Sequence, residues 1–245
     1  KVVFLGTKPI GYDSLAYLIS LQETLHYEII AVGTKERTEF GTDKNIQSLA
    51  NQHGIKVLAD DEAIPECDII YSVQYHKILK QTAISKAKMI AINLHLAPLP
   101  DYRGCNQFSF ALFHGAKTFG VTIHQIDTGI DSGAILFEDR FAIDEKWWVN
   151  DLFEVSNQRG LALLKATWAD ILAGNYTPVD QATLIASRGL NIHYRKDIEQ
   201  LKCIDLNEDA NKIKAKIKAT YMPGFEPPYC MIDGQKIYFT QKEAE

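Results

Sequence analysis

The chain has no C-x-x-C pair, and its four cysteines, Cys67, Cys105, Cys203 and Cys230, lie far apart. That spacing suggests neither a zinc ribbon nor a disulfide framework, so reduced thiols and no metal site are expected. No apolar run approaches the roughly 18 residues of a membrane span, and the start is not signal-like, so a cytoplasmic protein without a membrane partner is expected. Positive charge is in deficit: 26 Lys and Arg against 31 Asp and Glu leave a net charge of -5. A protein gripping a phosphate backbone usually carries a basic excess or stripe, so no nucleic-acid partner is expected. The densest lysine stretch, "NKIKAKIKAT" at 211–220, alternates Lys with Ile and Ala and reads as a solvated face. The opening loop "GTKPIG" lacks G-x-G-x-x-G, which argues against a dinucleotide and leaves a tight β-to-α turn. No Ser or Cys sits in a nucleophile elbow, which disfavours an acyl-enzyme. Repeats and low-complexity segments are also missing.

What is present is an alternation of strands and helices. "KVVFLG", "YEIIAVGT", "IKVLA", "CDIIYSV" and "KMIAINLH" read as strands, with helices predicted from about 9 to 21, 43 to 52 and 78 to 84 between them. Such βαβ units with short connections imply an α/β, Rossmann-like, mostly parallel sheet with flanking helices. "FGVTIHQID" and "GAILFEDRFAI" add two strands around the turn "TGIDSG", and a long amphipathic helix is predicted from about 150 to 172, ending at Gly174. "QATLIASRGLNIHYRKD" is irregular, and a helix near 208–218 leads into a hairpin turning at Asp233-Gly234. The expected organisation is a main domain over 1–190 and a small C-terminal helix and β-hairpin subdomain over 191–245.

The chemistry centres on "NLHLAPLPDYRG", residues 93–104. Asn93 and His95 are two apart at the end of a strand, so both project from one face where open α/β sheets bind ligands. The loop "DTGIDSG" supplies Asp127 and Asp131 at the same sheet edge. An Asn to bind a developing oxyanion, a His to move a proton and a carboxylate to polarise it make a working set for acyl transfer. Among the other histidines, His26, His53 and His193 read as surface residues, His114 ends a helix, and His76 borders the cleft. His124, inside a predicted strand, reads as a structural histidine.

At these residues the sequence resembles the folate-dependent formyltransferases. The family pattern pairs Asn-x-His, an apolar-Pro segment and a Tyr-Arg-Gly turn with a later "GVT-x-H-x-x-D-x-G-x-D-x-G", here "GVTIHQIDTGIDSG". The resemblance implies Asn93, His95 and Asp131 as catalytic residues and 10-formyltetrahydrofolate as donor. It places the pterin between "VQYHKIL" (Gln74, Tyr75, Lys77, Ile78, Leu79) and "IDTGID" (Asp127, Gly129, Ile130). Asn93 and a protonated His95 would hold the oxyanion, or His95 would take the amine proton; both remain open.

Among the family's branches, methionyl-tRNA formyltransferases carry a basic C-terminal β-barrel, whereas here about 55 residues follow position 190 of an acidic chain. The tail "ATYMPGFEPPYCMIDGQKIYF" resembles that of sugar-nucleotide N-formyltransferases. The implied acceptor is a dTDP-linked (or UDP-linked) 4-amino-sugar for O-antigen or other surface polysaccharide, and family habit implies a homodimer. Candidate acceptor contacts are Lys77, Tyr102, Arg103, Asn106, Tyr221 and Phe225, with Arg103 suited to a diphosphate. The alternatives are a methionyl-tRNA or other amine formyltransferase, a formyltetrahydrofolate hydrolase, and a non-enzymatic nucleotide-binding module.

Overall fold

A computed structural model describes residues 1–35 and 43–240 of the protein. The strands β1 (Val2–Gly6), β2 (Ile29–Gly33), β3 (Lys56–Val57), β4 (Cys67–Val73) and β5 (Ala87–His95) run parallel in the order β3-β2-β1-β4-β5. The sheet continues through β7 (Thr118–Gln125), antiparallel to β5, and β8 (Ile135–Ala142), antiparallel to β7. The expected mostly parallel α/β sheet is present, and its strand order reverses between β1 and β4.

The inner strands are apolar at successive positions because both sheet faces are covered. On one face Val2, Phe4, Tyr71, Ile92, Leu94, Val121 and Ile123 pack with Leu15 and Leu18 of α1 (Lys8–Leu25) and with Leu164 and Trp168 of α5 (Val149–Ala173). The alternate residues Val3, Leu5, Ala31, Ile70 and Ala91 form a second cluster with Tyr75, Leu79, Ile84 and Ile126. Asn93 and His95 share the parity of Ala91, so they project from this second, more thinly covered face.

Helix ends follow from local residues. α5 stops at Gly174, whose φ of 74° lets the chain leave in the left-handed conformation. α1 runs past the expected end at Leu21 to Leu25 and stops at His26, also left-handed. The helix expected over 78–84 is only Gln81–Ile84, because Lys80 before it is extended.

Two short strands carry no periodicity in sequence: β6 (Tyr102–Gly104) pairs in parallel with β9 (Asn191–His193). This join matters for the expected boundary at 190, since β9 hydrogen-bonds back to the corner that follows β5. Asn106 reinforces it, donating from Nδ2 to the carbonyls of Tyr194 and Arg195. Helix α8 (Ala210–Thr220) packs on α4 (Gln107–Phe113) and α5. The hairpin of β10 (Tyr229–Ile232) and β11 (Gln235–Tyr238) turns at Asp233 and Gly234, both with positive φ as its two-residue turn requires. Residues 241–245 of the expected subdomain lie outside the described residues. Among the described residues, no helix is long and apolar enough to cross a membrane.

Candidate active site

Four polar side chains meet where β5 and β7 end. Asn93 faces His124 directly across the antiparallel pair, and His95 faces Thr122. Directly opposed side chains in such a pair lie close together, so the register itself delivers His124 to Asn93. Asn93 Nδ2 lies 3.2 Å from His124 Nε2, while His124 Nδ1–H donates to the Gln125 carbonyl at 2.7 Å. With Nδ1–H turned to that carbonyl, Nε2 is the His124 atom that meets the Asn93 amide. One N–H of the Asn93 amide then goes to His124, and among the described residues the amide nitrogen has no second hydrogen-bond partner.

His124 is therefore no bystander in the strand. The sequence held the clue: Val121 and Ile123 face the core, so Thr122 and His124 share the opposite face, as Asn93 and His95 do on β5.

His95 is 4% exposed and donates Nε2–H to the Tyr102 carbonyl at 2.9 Å. Its remaining nitrogen, Nδ1, lies 3.7 Å from Asp131 Oδ2, and Asp131 Oδ1 lies 3.5 Å from His124 Nε2. Burial holds the His95 pKa below the ordinary imidazole value; Asp131 pulls it up, and His124 adds to the lowering. The ring therefore rests neutral, with its lone pair on Nδ1. For Asp131, burial works against the charged form. The Gly104 N–H, together with the attraction of either neighbouring imidazole when it carries a proton toward Asp131, outweighs that and holds the carboxyl well below the usual carboxylate range.

Asp131 sits at φ 48°, a left-handed conformation that strains a non-glycine residue by about 1–3 kcal/mol. Its carboxylate is aimed by the Gly104 N–H, which donates to Oδ2 at 2.9 Å. Gly104 has φ 85°, and a Cβ there would overlap the His193 carbonyl, so only glycine allows the β6–β9 approach. Gly104→Ala should lower stability by at least about 1 kcal/mol, or Tm by about 2–4 °C. It should also cut kcat further than that stability loss explains, because the Asp131 aim goes with it. Thermal melts beside steady-state rates check this.

The corner between His95 and Gly104 is held by half-buried charges that the sequence reading missed. Arg140 pairs with Asp101 at 2.8 Å and with Glu138 at 3.0 Å, and Arg188 pairs with Glu138 at 2.8 Å. Both arginines also donate to the Leu99 carbonyl, at 3.3 and 3.0 Å.

Beside the cluster lies a cavity of about 630 Å³, lined by Ile84, Ala91, Ile126, Asp127, Gly133 and Asp180 among others. Its origin is strand length. β7 pairs with β5 only across Ile92–His95, and after the Ile126 N–H bonds to the Ala91 carbonyl the chain turns away. The edge of β5 before Ala91 is thus left uncovered. The volume is that of a small-molecule site.

The other expected residues divide. Asp127 and the segment after Asp131 line this cavity, and Leu79 shares an apolar cluster with Ile84 and Ile126. Ile78 is 81% exposed and Ile130 37% exposed. Asp127 also ties its own loop, accepting from the Gly129 N–H at 3.0 Å and from Ser132 Oγ. Gln74 has positive φ and accepts from Lys8 Nζ at 2.8 Å. Tyr75 lies edge-on to His76, and its hydroxyl packs near Gly33.

Lys77 turns toward the β3 side and pairs with Asp60 at 2.6 Å, away from His95. Tyr102 gives the site its carbonyl, while its ring is buried against His114 and Phe119. Tyr221 sets its ring against Trp148, and Phe225 follows α8 in an exposed turn. His193 is half-buried and stacked on Phe110 at 3.5 Å, not a surface residue. Arg103 donates from Nε and Nη2 to Gln181 Oε1 at 3.0 and 2.9 Å, which uses two of its five N–H groups.

The family model for formyl transferase matches residues 21–162, more than half of the chain. The chain is a member of the formyl transferase family. Over 196 residues it is 31% identical to a methionyl-tRNA formyltransferase of Lachnospira eligens, covering 74% of this chain and 61% of that relative's length. Solved formyltransferases share the fold. One is WlaRD, a sugar 3N-formyltransferase in the presence of dTDP and 5-N-formyl-THF (TM-score 0.78, 25% identity, 97% of this chain and 84% of that one). Another is the N-formyltransferase from Helicobacter canadensis with folinic acid and dTDP-3-aminofucose (TM-score 0.76, 24% identity, 97% and 86%).

Proposed function

We propose that this formyl transferase moves a formyl group from 10-formyltetrahydrofolate to the amino group of a nucleotide-linked amino sugar. The acceptor class is a dTDP-4-amino-4,6-dideoxyhexose, a building block of surface polysaccharide. The observation that carries the reading is the convergence of Asn93, His95 and Asp131 beside the cavity between β5 and the 126–134 loop. The cavity's lining of apolar residues such as Ile84, Ile90 and Ile126 with polar loop residues suits a pterin, and Ser132 and Gly133 in its wall follow Asp131 directly in the chain. Similarity to WlaRD over nearly the whole chain supports a nucleotide-sugar acceptor.

The donor supplies a formyl carbon activated by its bond to N10. Asn93 donates its second amide N–H to the formyl oxygen as that oxygen gains negative charge under attack by the sugar amine. His95 takes the amine proton at Nδ1, while the Tyr102 carbonyl keeps the ring oriented through Nε2. Asp131 stabilises the resulting imidazolium by charge. As the new C–N bond is completed and the bond to N10 breaks, His95 returns the proton to the departing nitrogen. No atom is left over, and this scheme enlists neither metal nor nicotinamide.

A methionyl-tRNA acceptor is the second reading, favoured by the 31% identity to the Lachnospira eligens enzyme. A net charge of -5 opposes it, since tRNA binding rests on phosphate contacts. Arg103→Ala tests the acceptor side of the first reading. Losing a charge-assisted pair with a diphosphate is worth about 1.5–3 kcal/mol. The KM for a dTDP-amino sugar should rise roughly 10- to 150-fold, with folate affinity nearly unchanged. Collapse of folate binding with normal acceptor KM would move Arg103 to the donor side.

A further inference from the structure

Gln181 belongs to none of the motifs above. It opens a short 3-10 turn (Gln181–Thr183), just after Val179 exchanges two backbone hydrogen bonds with Ile135 at the start of β8. That bridge brings the turn against the loop carrying Asp131. The side chain is 1% exposed, and its amide is saturated. Nε2 donates to the carbonyls of Asp131 at 2.8 Å and Gly133 at 2.7 Å, while Oε1 accepts the two bonds from Arg103. The amide fits only one way round. Rotated by half a turn, its NH2 would meet guanidinium donors and its oxygen two carbonyls, so the four bonds fix its orientation.

We propose that Gln181 is a positioning residue for formyl transfer: it clamps the backbone at and beyond the left-handed Asp131 and couples that loop to Arg103 on the acceptor side. This rests on the proposed roles of Asp131 and Arg103.

Three observations support it. Asp131 is strained at φ 48°, and such a residue persists only where its surroundings over-determine it. Gly133, the other clamped carbonyl, lies so close to the Gln125 carbonyl that a Cβ would overlap it, so the loop has little room to settle elsewhere. Finally, glutamine alone offers two donors and a two-fold acceptor at this reach. Glutamate of the same shape would keep Arg103 but repel both carbonyls; methionine would fill the volume and bond neither side.

The variants Gln181→Glu and Gln181→Met therefore dissect the clamp. For Gln181→Met, kcat is expected to fall about 100-fold, the loss typical of a misplacement near 1 Å, and the acceptor KM to rise as Arg103 loses its partner. For Gln181→Glu, kcat should fall similarly while the acceptor KM stays near wild type. The KM for 10-formyltetrahydrofolate should rise in both, because the clamped Gly133 lines the donor cavity. A purely structural side chain would lower Tm without splitting kcat from KM in this way. Folded variants with wild-type kcat would overturn the proposal.

A wild-type protein inactive toward every nucleotide-linked amino sugar would refute the proposed function instead. The clamp is still readable then from crystal structures of wild type and Gln181→Glu. The separation of His95 Nδ1 and Asp131 Oδ2, 3.7 Å here, should widen in the variant. An unchanged separation overturns the proposal whatever the acceptor.

Discussion

Replacing His95 with Asn lowers kcat by about 100-fold or more and leaves both KM values close to wild type. The expectation follows from where the ring sits. His95 is buried, so its neutral form is favoured, and Nε2 is occupied by the Tyr102 carbonyl. Only Nδ1 can gain a proton, and in the proposed reaction it gains one as the acceptor amine becomes an amide. Asp131 at 3.7 Å makes that protonation affordable. Asparagine keeps a polar group in roughly the same space but cannot accept and return a proton. Asp131→Asn should lose rate on the same scale by removing the charge that supports the imidazolium.

The pH dependence has a definite sign. A base must be unprotonated, so kcat/KM falls on the acid side as His95 protonates, and its lowered pKa puts that limb below the ordinary imidazole value. The titration of the acceptor amine, measured separately, gives the other contribution. A kcat/KM that instead falls on the alkaline side as His95 loses its proton would support a charged His95 binding the oxyanion.

Asn93→Ala carries the other large effect, a loss of about 100- to 1000-fold in kcat, the usual cost of one oxyanion donor. In the proposed mechanism Asn93 touches the reaction only as charge builds on the formyl oxygen, so substrate affinity is expected to hold. His124 fixes the amide that does this, which makes Asn93 rigid before substrate arrives. The double variant Asn93→Ala with His95→Asn should lose less than the product of the single losses, because the groups act as a unit. Stability should be little changed, since Asn93 is only partly buried at the strand end. Titration of donor binding alongside the rates separates a chemical defect from a binding one.

The core of this site was legible in the sequence because strand parity is local. Asn93 and His95 two apart at the end of an apolar run must share a face, and Asp131 follows the next strand of the same sheet. Gly174 as a helix stop and Asp233-Gly234 as a hairpin turn were legible for the same reason: each is a short-range conformational demand.

What could not be read depends on long-range register. His124 looks like any polar residue in a strand until β7 is laid antiparallel to β5 with Asn93 opposite it. Gln181 sits in an irregular stretch and reaches Asp131 only because Val179 bridges to Ile135. The Tyr102 ring looked available in a loop, but the corner folds inward and leaves the site only its carbonyl. Lys77 follows the right strand yet finds a nearer carboxylate in Asp60, on a loop whose place the sequence does not reveal.

The central claim is tested most directly by mass analysis of a nucleotide sugar after incubation with the purified wild-type protein. The reaction contains 10-formyltetrahydrofolate and a dTDP-4-amino-4,6-dideoxyhexose, with methionyl-tRNA as a parallel acceptor. The sugar should gain one CO unit, only when the folate is present, with EDTA making no difference, and with the product lost in Asn93→Ala, His95→Asn and Asp131→Asn. Formylation of methionyl-tRNA alone, or product formation undiminished in those three variants, would contradict it.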